Sequence, residues 1–208
     1  MNTLTPLVRN LIIINVVVFI LQQFLRNVSS IEIGGETMTL SFTDVIALWD
    51  VNTPLFRPFQ FFTYMFAHSP TNYFHLVFNM FALASFGPGL ESYWGDKKFL
   101  TFYLVTGIGA GLIYAAVNYF FFPFAGGSMV GASGALYGLL MAYGLLFPNL
   151  EVMMILIPFP IKAKYLVFII GGITYFMDRS GSVAHLAHFG GAFMGFLVIS
   201  YWRRKGRW

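Results

Sequence analysis

The sequence predicts an all-α, polytopic membrane protein with six transmembrane helices in a single domain, residues 1–208, and three observations carry that prediction. Hydrophobic residues fill 58% of the 208 positions and charged residues only 10%, against about 25% charged in a soluble domain. Six spans of about 20 residues would use roughly 120 positions, close to the number of hydrophobic residues available. The charges also fall in clusters that separate long neutral blocks. The same composition excludes several chemistries. Without cysteine there is no disulfide framework, thiolate nucleophile or cysteine-held metal. The net charge of +4 does not describe a nucleic-acid surface, because four of the twelve basic residues, Arg203, Arg204, Lys205 and Arg207, form a tail (203–208) behind an apolar helix.

The first span is the neutral block from Asn10 to Leu25. No small-residue cleavage site follows it, so it reads as a retained helix rather than a signal peptide. Residues 28–58 form a polar outer loop rich in turn formers. Within it Ser41-Phe-Thr-Asp44 reads as a capping box, and Phe42, Val45, Ile46 and Trp49 recur at helical spacing, which predicts a short interfacial helix. The second span covers 72–94 and ends at the polar turn Gly95-Asp-Lys-Lys98. From Phe99 to Leu150 no residue of 52 is charged, too long a run for one helix. Pro123, Gly126-Gly127 and Gly131 divide it into a third span, 99–121, and a fourth, 133–148. Pro148, Pro158, Pro160, Lys162 and Lys164 make 149–164 a loop. The fifth span covers 165–177 and the sixth 183–202.

Six spans place Arg9, Lys97, Lys98, Lys162, Lys164 and the tail on one side, nine basic residues against Arg26, Arg57 and Arg179 on the other. The excess marks the first side as cytoplasmic. Both termini are thus expected in the cytoplasm, and the membrane is expected to be a bacterial inner (plasma) membrane.

Polar residues at membrane depth are expensive and point to function. His75, His185 and His188 fall within predicted spans. Asn79 follows His75 by one helical turn, so the two share a face. Ser133 opens the fourth span inside Gly131-Ala-Ser-Gly134. A serine hydroxyl becomes a nucleophile when a nearby base takes its proton, and histidine is the usual base. At a helix start, free N–H groups face the oxygen that turns negative during attack, and His75 and Asn79 can add donors there. Either His185 or His188 could supply the base. Other intramembrane proteolytic chemistries fail on pattern. Neither His185 nor His188 is followed by the glutamate of a His-Glu-x-x-His zinc motif, no pair of aspartates lies in a span, and Ala135 breaks Gly-x-Ser-x-Gly.

Four segments, His75-Leu-Val-Phe-Asn79, Gly87-Pro-Gly-Leu-Glu91, Gly131-Ala-Ser-Gly-Ala-Leu-Tyr-Gly138 and Ala187-His188-Phe-Gly-Gly191 with Gly195, resemble in order the rhomboid family of intramembrane serine proteases. The resemblance implies six helices around a water-accessible cavity, with Ser133 as nucleophile and His188 as general base. It implies an oxyanion hole of His75, Asn79 and the backbone N–H groups of Ser133 and Ala132. Tyr137 would pack on the His188 ring, and Gly191 and Gly195 would let the sixth helix approach the fourth. Glu91 would tie down the end of the second helix, and His68 would stabilise a loop. Phe59-Gln60 stands where many members carry Trp-Arg.

The implied activity is hydrolysis of peptide bonds in or next to transmembrane segments, with transmembrane proteins and the bilayer as partners and no cofactor, metal or nucleic acid. The short fifth helix, with Gly171-Gly172, would serve as a lateral gate. A catalytically silent relative that binds transmembrane segments in membrane-protein quality control is the alternative. A channel or transporter ranks below both, because the spans lack paired charges.

Overall fold

The computed structural model describes residues 4–122, 127–154, 157–177 and 182–206; Pro123, Gly126, Arg179 and Arg207 lie outside them. The helices are α1 (Pro6–Phe24), α2 (Phe42–Ile46), α3 (Gln60–Thr63), α4 (Tyr73–Trp94), α5 (Asp96–Phe121), α6 (Ser133–Leu146), α7 (Leu166–Met177) and α8 (Ser182–Arg204). α1 starts earlier than expected because Pro6, with no N–H to lose, occupies the first helical turn. α5 starts at Asp96 rather than 99, since an aspartate suits the positive end of a helix. The capping box forms as read: Ser41 accepts the Asp44 N–H, and the Asp44 carboxylate accepts the Ser41 N–H.

The class is mostly helical rather than all-α, because three loop segments pair into antiparallel two-stranded ribbons. β1 (Ser29–Ile33) pairs with β2 (Glu36–Leu40) across Gly34-Gly35, whose positive φ angles suit a tight hairpin turn. β3 (Leu48–Trp49) pairs with β4 (Ser128–Met129) and so fastens the outer loop to the chain just before α6. β5 (Glu151–Met154) pairs with β6 (Ile157–Lys162) where a loop was expected. Pro158 and Pro160 are compatible with it because each strand of a two-stranded ribbon has an unpaired edge.

Among the described residues α1 and α5 are long and apolar enough to cross a membrane unaided, not six helices. α6 and α7 are apolar but have 14 and 12 residues, about 21 and 18 Å at ~1.5 Å per residue, short of a hydrocarbon core of about 30 Å. α4 carries Asn79, Pro88 and Glu91, and α8 carries two histidines and a Gly-Gly pair, which dilute their apolar character.

α6 is the central helix, with residues 134–140 all buried among α4, α5, α7 and α8. α1 lies against α4, and Glu91 fastens the two. Glu91, expected to tie down the end of the second helix, does so through α1: its carboxylate accepts the Leu7 N–H at 3.0 Å, the Val8 N–H at 2.8 Å and the Thr5 hydroxyl. The first N–H groups of α1 have no partner within their own helix, and a carboxylate is their best acceptor.

Candidate active site

Ser133 is the first residue of α6 and the only one of residues 131–140 that is not buried. Gly131 turns the chain into the helix with φ +125, a conformation that suits glycine, and its N–H donates to the Tyr64 carbonyl at 2.9 Å. The Tyr64 hydroxyl donates to the Gly107 carbonyl of α5 at 2.6 Å, so one tyrosine links α5 to the turn that holds the serine. The N–H groups of the first turn of α6 point away from the helix, with no helical carbonyl ahead of them.

His75 faces this turn. A Cβ placed on Gly131 would stand 2.8 Å from His75 Nε2 and 3.7 Å from Ser133 Oγ, so the ring nitrogen and the hydroxyl border the same small space. The Ser69 N–H donates to His75 Nδ1 at 3.4 Å. With Nδ1 accepting, Nε2 is the ring nitrogen aimed at the space. Asn79 lies one turn on and donates to the His75 carbonyl at 2.7 Å, which uses one of its two amide protons.

α8 reaches the site through close backbone contact. A Cβ on Gly191 would fall on the Gly134 carbonyl, and one on Gly195 would come 2.8 Å from the Gly138 carbonyl. A Cβ on Gly134 would lie 3.7 Å from the Ala187 carbonyl. The residue after Ser133 and the residue before His188 are therefore neighbours. The His188 ring stacks on Tyr137 of α6, centroids 4.2 Å apart and planes inclined by 13°. His185 lies instead against Tyr175 of α7, at 4.8 Å, with 6.3 Å between the two histidine rings. The sequence offers both as bases; the structure puts His188 against the serine's helix.

His68 is fully buried beside His75, ring centroids 5.2 Å apart. Burial, with the His75 ring adding to it, pushes its imidazole down to about 3, so it stays neutral. Its backbone is clamped by the Gln22 amide of α1, which donates to the His68 carbonyl at 2.8 Å and accepts its N–H at 3.0 Å. Gln60 is buried and organises the outer loop. Its oxygen accepts from the Arg57 and Trp49 N–H groups, and its nitrogen donates to the Val45 and Leu55 carbonyls. Phe59 beside it is exposed.

Tyr64, Gln22 and Thr174, whose hydroxyl meets that of Tyr137 at 2.7 Å, escaped the sequence reading. Each acts through a contact more than 35 positions away in the chain, and no local spacing marks such a partner.

Residues 56–205 match a family model described as a rhomboid domain. The chain is 32% identical over 137 residues to "Rhomboid protein 1, mitochondrial" of Saccharomyces cerevisiae, covering 65% of this chain and 40% of that protein. It is 31% identical over 147 residues to "Presenilin-associated rhomboid-like protein A, mitochondrial" of Danio rerio, covering 63% and 36%. The matches thus span about two fifths of those relatives' lengths. Both are mitochondrial by name, so they give the expected bacterial plasma membrane no support.

Proposed function

The chain belongs to the rhomboid family of integral membrane proteins, and from that premise we propose that it is an intramembrane serine endopeptidase. It hydrolyses peptide bonds in or next to transmembrane segments of other membrane proteins. The observation that carries this reading is the stack of His188 on Tyr137, one turn from Ser133 on the same face of α6.

In this reading His188 takes the Ser133 hydroxyl proton as Oγ bonds to the carbonyl carbon of the substrate. The carbonyl oxygen becomes an oxyanion held by His75 Nε2–H, the free Asn79 amide proton and the backbone N–H groups of Ser133 and Ala132. Each such donor is typically worth about 10²- to 10³-fold in rate. The C–N bond then breaks, and His188 returns the proton to the leaving amine. Water, deprotonated by His188, attacks the acyl-enzyme and restores Ser133. A transmembrane helix hides its carbonyls in its own hydrogen bonds, so the substrate unwinds locally before it meets Ser133, in a cavity open to water.

The helices α1, α4, α5, α6, α7 and α8 are the six spans, and residues 1–208 form one rhomboid domain with a basic tail. α6 can be short because its neighbours, not lipid, surround it. The short α7 is the lateral gate.

Purified protein in detergent or proteoliposomes, given a labelled transmembrane substrate, should cleave it, and Ser133→Ala should reduce cleavage to the rate without enzyme. A fluorophosphonate probe should label Ser133 only when His188 is present. Absence of labelling in a folded sample would favour a silent binder of transmembrane segments instead.

A further inference from the structure

Tyr137 stands between two helices. One face of its ring lies on His188 of α8. Towards α7, a Cβ on Gly171 would come 3.7 Å from Tyr137 Cε1, so the ring edge lies against α7 at this position. The Tyr137 hydroxyl then meets the Thr174 hydroxyl at 2.7 Å. Thr174 donates its single proton to the Gly171 carbonyl of its own helix at 3.1 Å. Its oxygen is therefore left as an acceptor, and the direction of the contact follows: Tyr137 donates and Thr174 receives.

This fixes the ring at both ends. Tyr137 is held at Cβ by α6 and at its hydroxyl by α7. A swing of the ring in either direction would leave a part-buried hydroxyl without its partner. The His188 imidazole, stacked nearly parallel on that ring, takes its rotamer from it. Tyr175, the next residue of α7, meets His185 one turn before His188 on α8. Thr174 and Tyr175 thus act on the same stretch of α8.

We propose that Thr174 is a positioning residue for His188, acting through Tyr137, so that the placement of α7 sets the placement of the general base. This rests on the dyad reading above. Its consequence for the reaction is direct: moving α7 aside withdraws the acceptor, frees the Tyr137 ring and loosens the histidine that must take the Ser133 proton.

The test uses three single substitutions in the full chain. Thr174→Val keeps shape without the acceptor, Thr174→Ser keeps the acceptor, and Tyr137→Phe keeps the ring without the donor. Loss of one neutral hydrogen bond predicts that Val and Phe each lower kcat about tenfold with KM little changed, that Ser stays near the parent, and that Val and Phe combined are no slower than either alone. Wild-type kcat in Thr174→Val, a Ser variant as slow as Val, or losses that multiply in the double variant would each overturn the proposal. A second readout needs no turnover. In the labelled-histidine NMR spectrum, the His188 ring protons should be displaced upfield by Tyr137, and should move or broaden in the Val and Phe variants but not in Ser. If Ser133→Ala leaves cleavage intact, the protease reading falls, while unmoved His188 resonances in the Val variant would sink the positioning role independently.

Discussion

At the scale of single residues, burial decides what the titrating groups can do. His68 sits under the loop that leads into α4, where its neutral ring packs beside His75. In the unfolded chain a histidine titrates near 6.5; in the fold His68 is held down at about 3. Between those values the unfolded state binds the extra proton. The stability that this residue contributes is therefore fully present above about pH 6.5 and is lost as the pH falls towards 3, at up to about 1.4 kcal/mol per pH unit. Thermal unfolding in detergent at several pH values from 7.5 to 4.5 should show this acid sensitivity, and His68→Phe, which cannot take a proton, should flatten it. An equal slope in both proteins would contradict the assignment. The loss also disturbs His75, whose Nδ1 accepts the N–H of the residue following His68.

At the scale of elements, the close approach of α8 to α6 is the contact that brings the site residues together. Gly191 and Gly195 let one helix backbone lie on the other, and the atom in the way of a side chain at 191 is a carbonyl of the central helix, which cannot rotate aside. Gly191→Val should therefore destabilise the fold by about 3 kcal/mol, at the upper end of overpacking costs, and remove probe labelling of Ser133. Gly172 of α7 has nothing within 4 Å of its own added Cβ, so Gly172→Ala should leave the melting temperature unchanged or slightly raised. Melting curves of the two variants check both statements. The other helix junctions use polar groups where this one uses small residues: Glu91 caps α1 from α4, and Gln22 of α1 holds the backbone at His68.

At the scale of the whole molecule, the distribution of charge predicts the sidedness. Lys97 and Lys205 should face one compartment and the β1–β2 hairpin the other. The chain has no cysteine, so Lys97→Cys, Lys205→Cys and Gly34→Cys each introduce one thiol. An impermeant maleimide applied to oriented vesicles should label the first two from the same side and the third only from the opposite one. Labelling of all three from one side would refute the topology. Much of this architecture is legible in the sequence. Helix positions follow from neutral blocks bounded by charges, Gly and Pro, and the structure moves them by only a few residues. The capping box at Ser41 follows from local spacing, and the meeting of Gly191 with α6 from the family resemblance. The ribbons were missed because polar loops carry little periodicity, and Pro158 and Pro160 pointed away from strands. The partner of Glu91 was not legible, because a buried carboxylate serves whichever helix start the fold brings to it. Composition and spacing alone pointed to a helical membrane protein, read as all-α until the loop ribbons appeared, with a serine at a helix start and histidines near the starts of other helices, because periodicity and solvation act locally. Which histidine lies against the serine's helix, what Glu91 and Gln60 hold, and that Thr174 meets Tyr137 were decided only by tertiary packing, because each depends on atoms far apart in the chain meeting within hydrogen-bond or van der Waals distance.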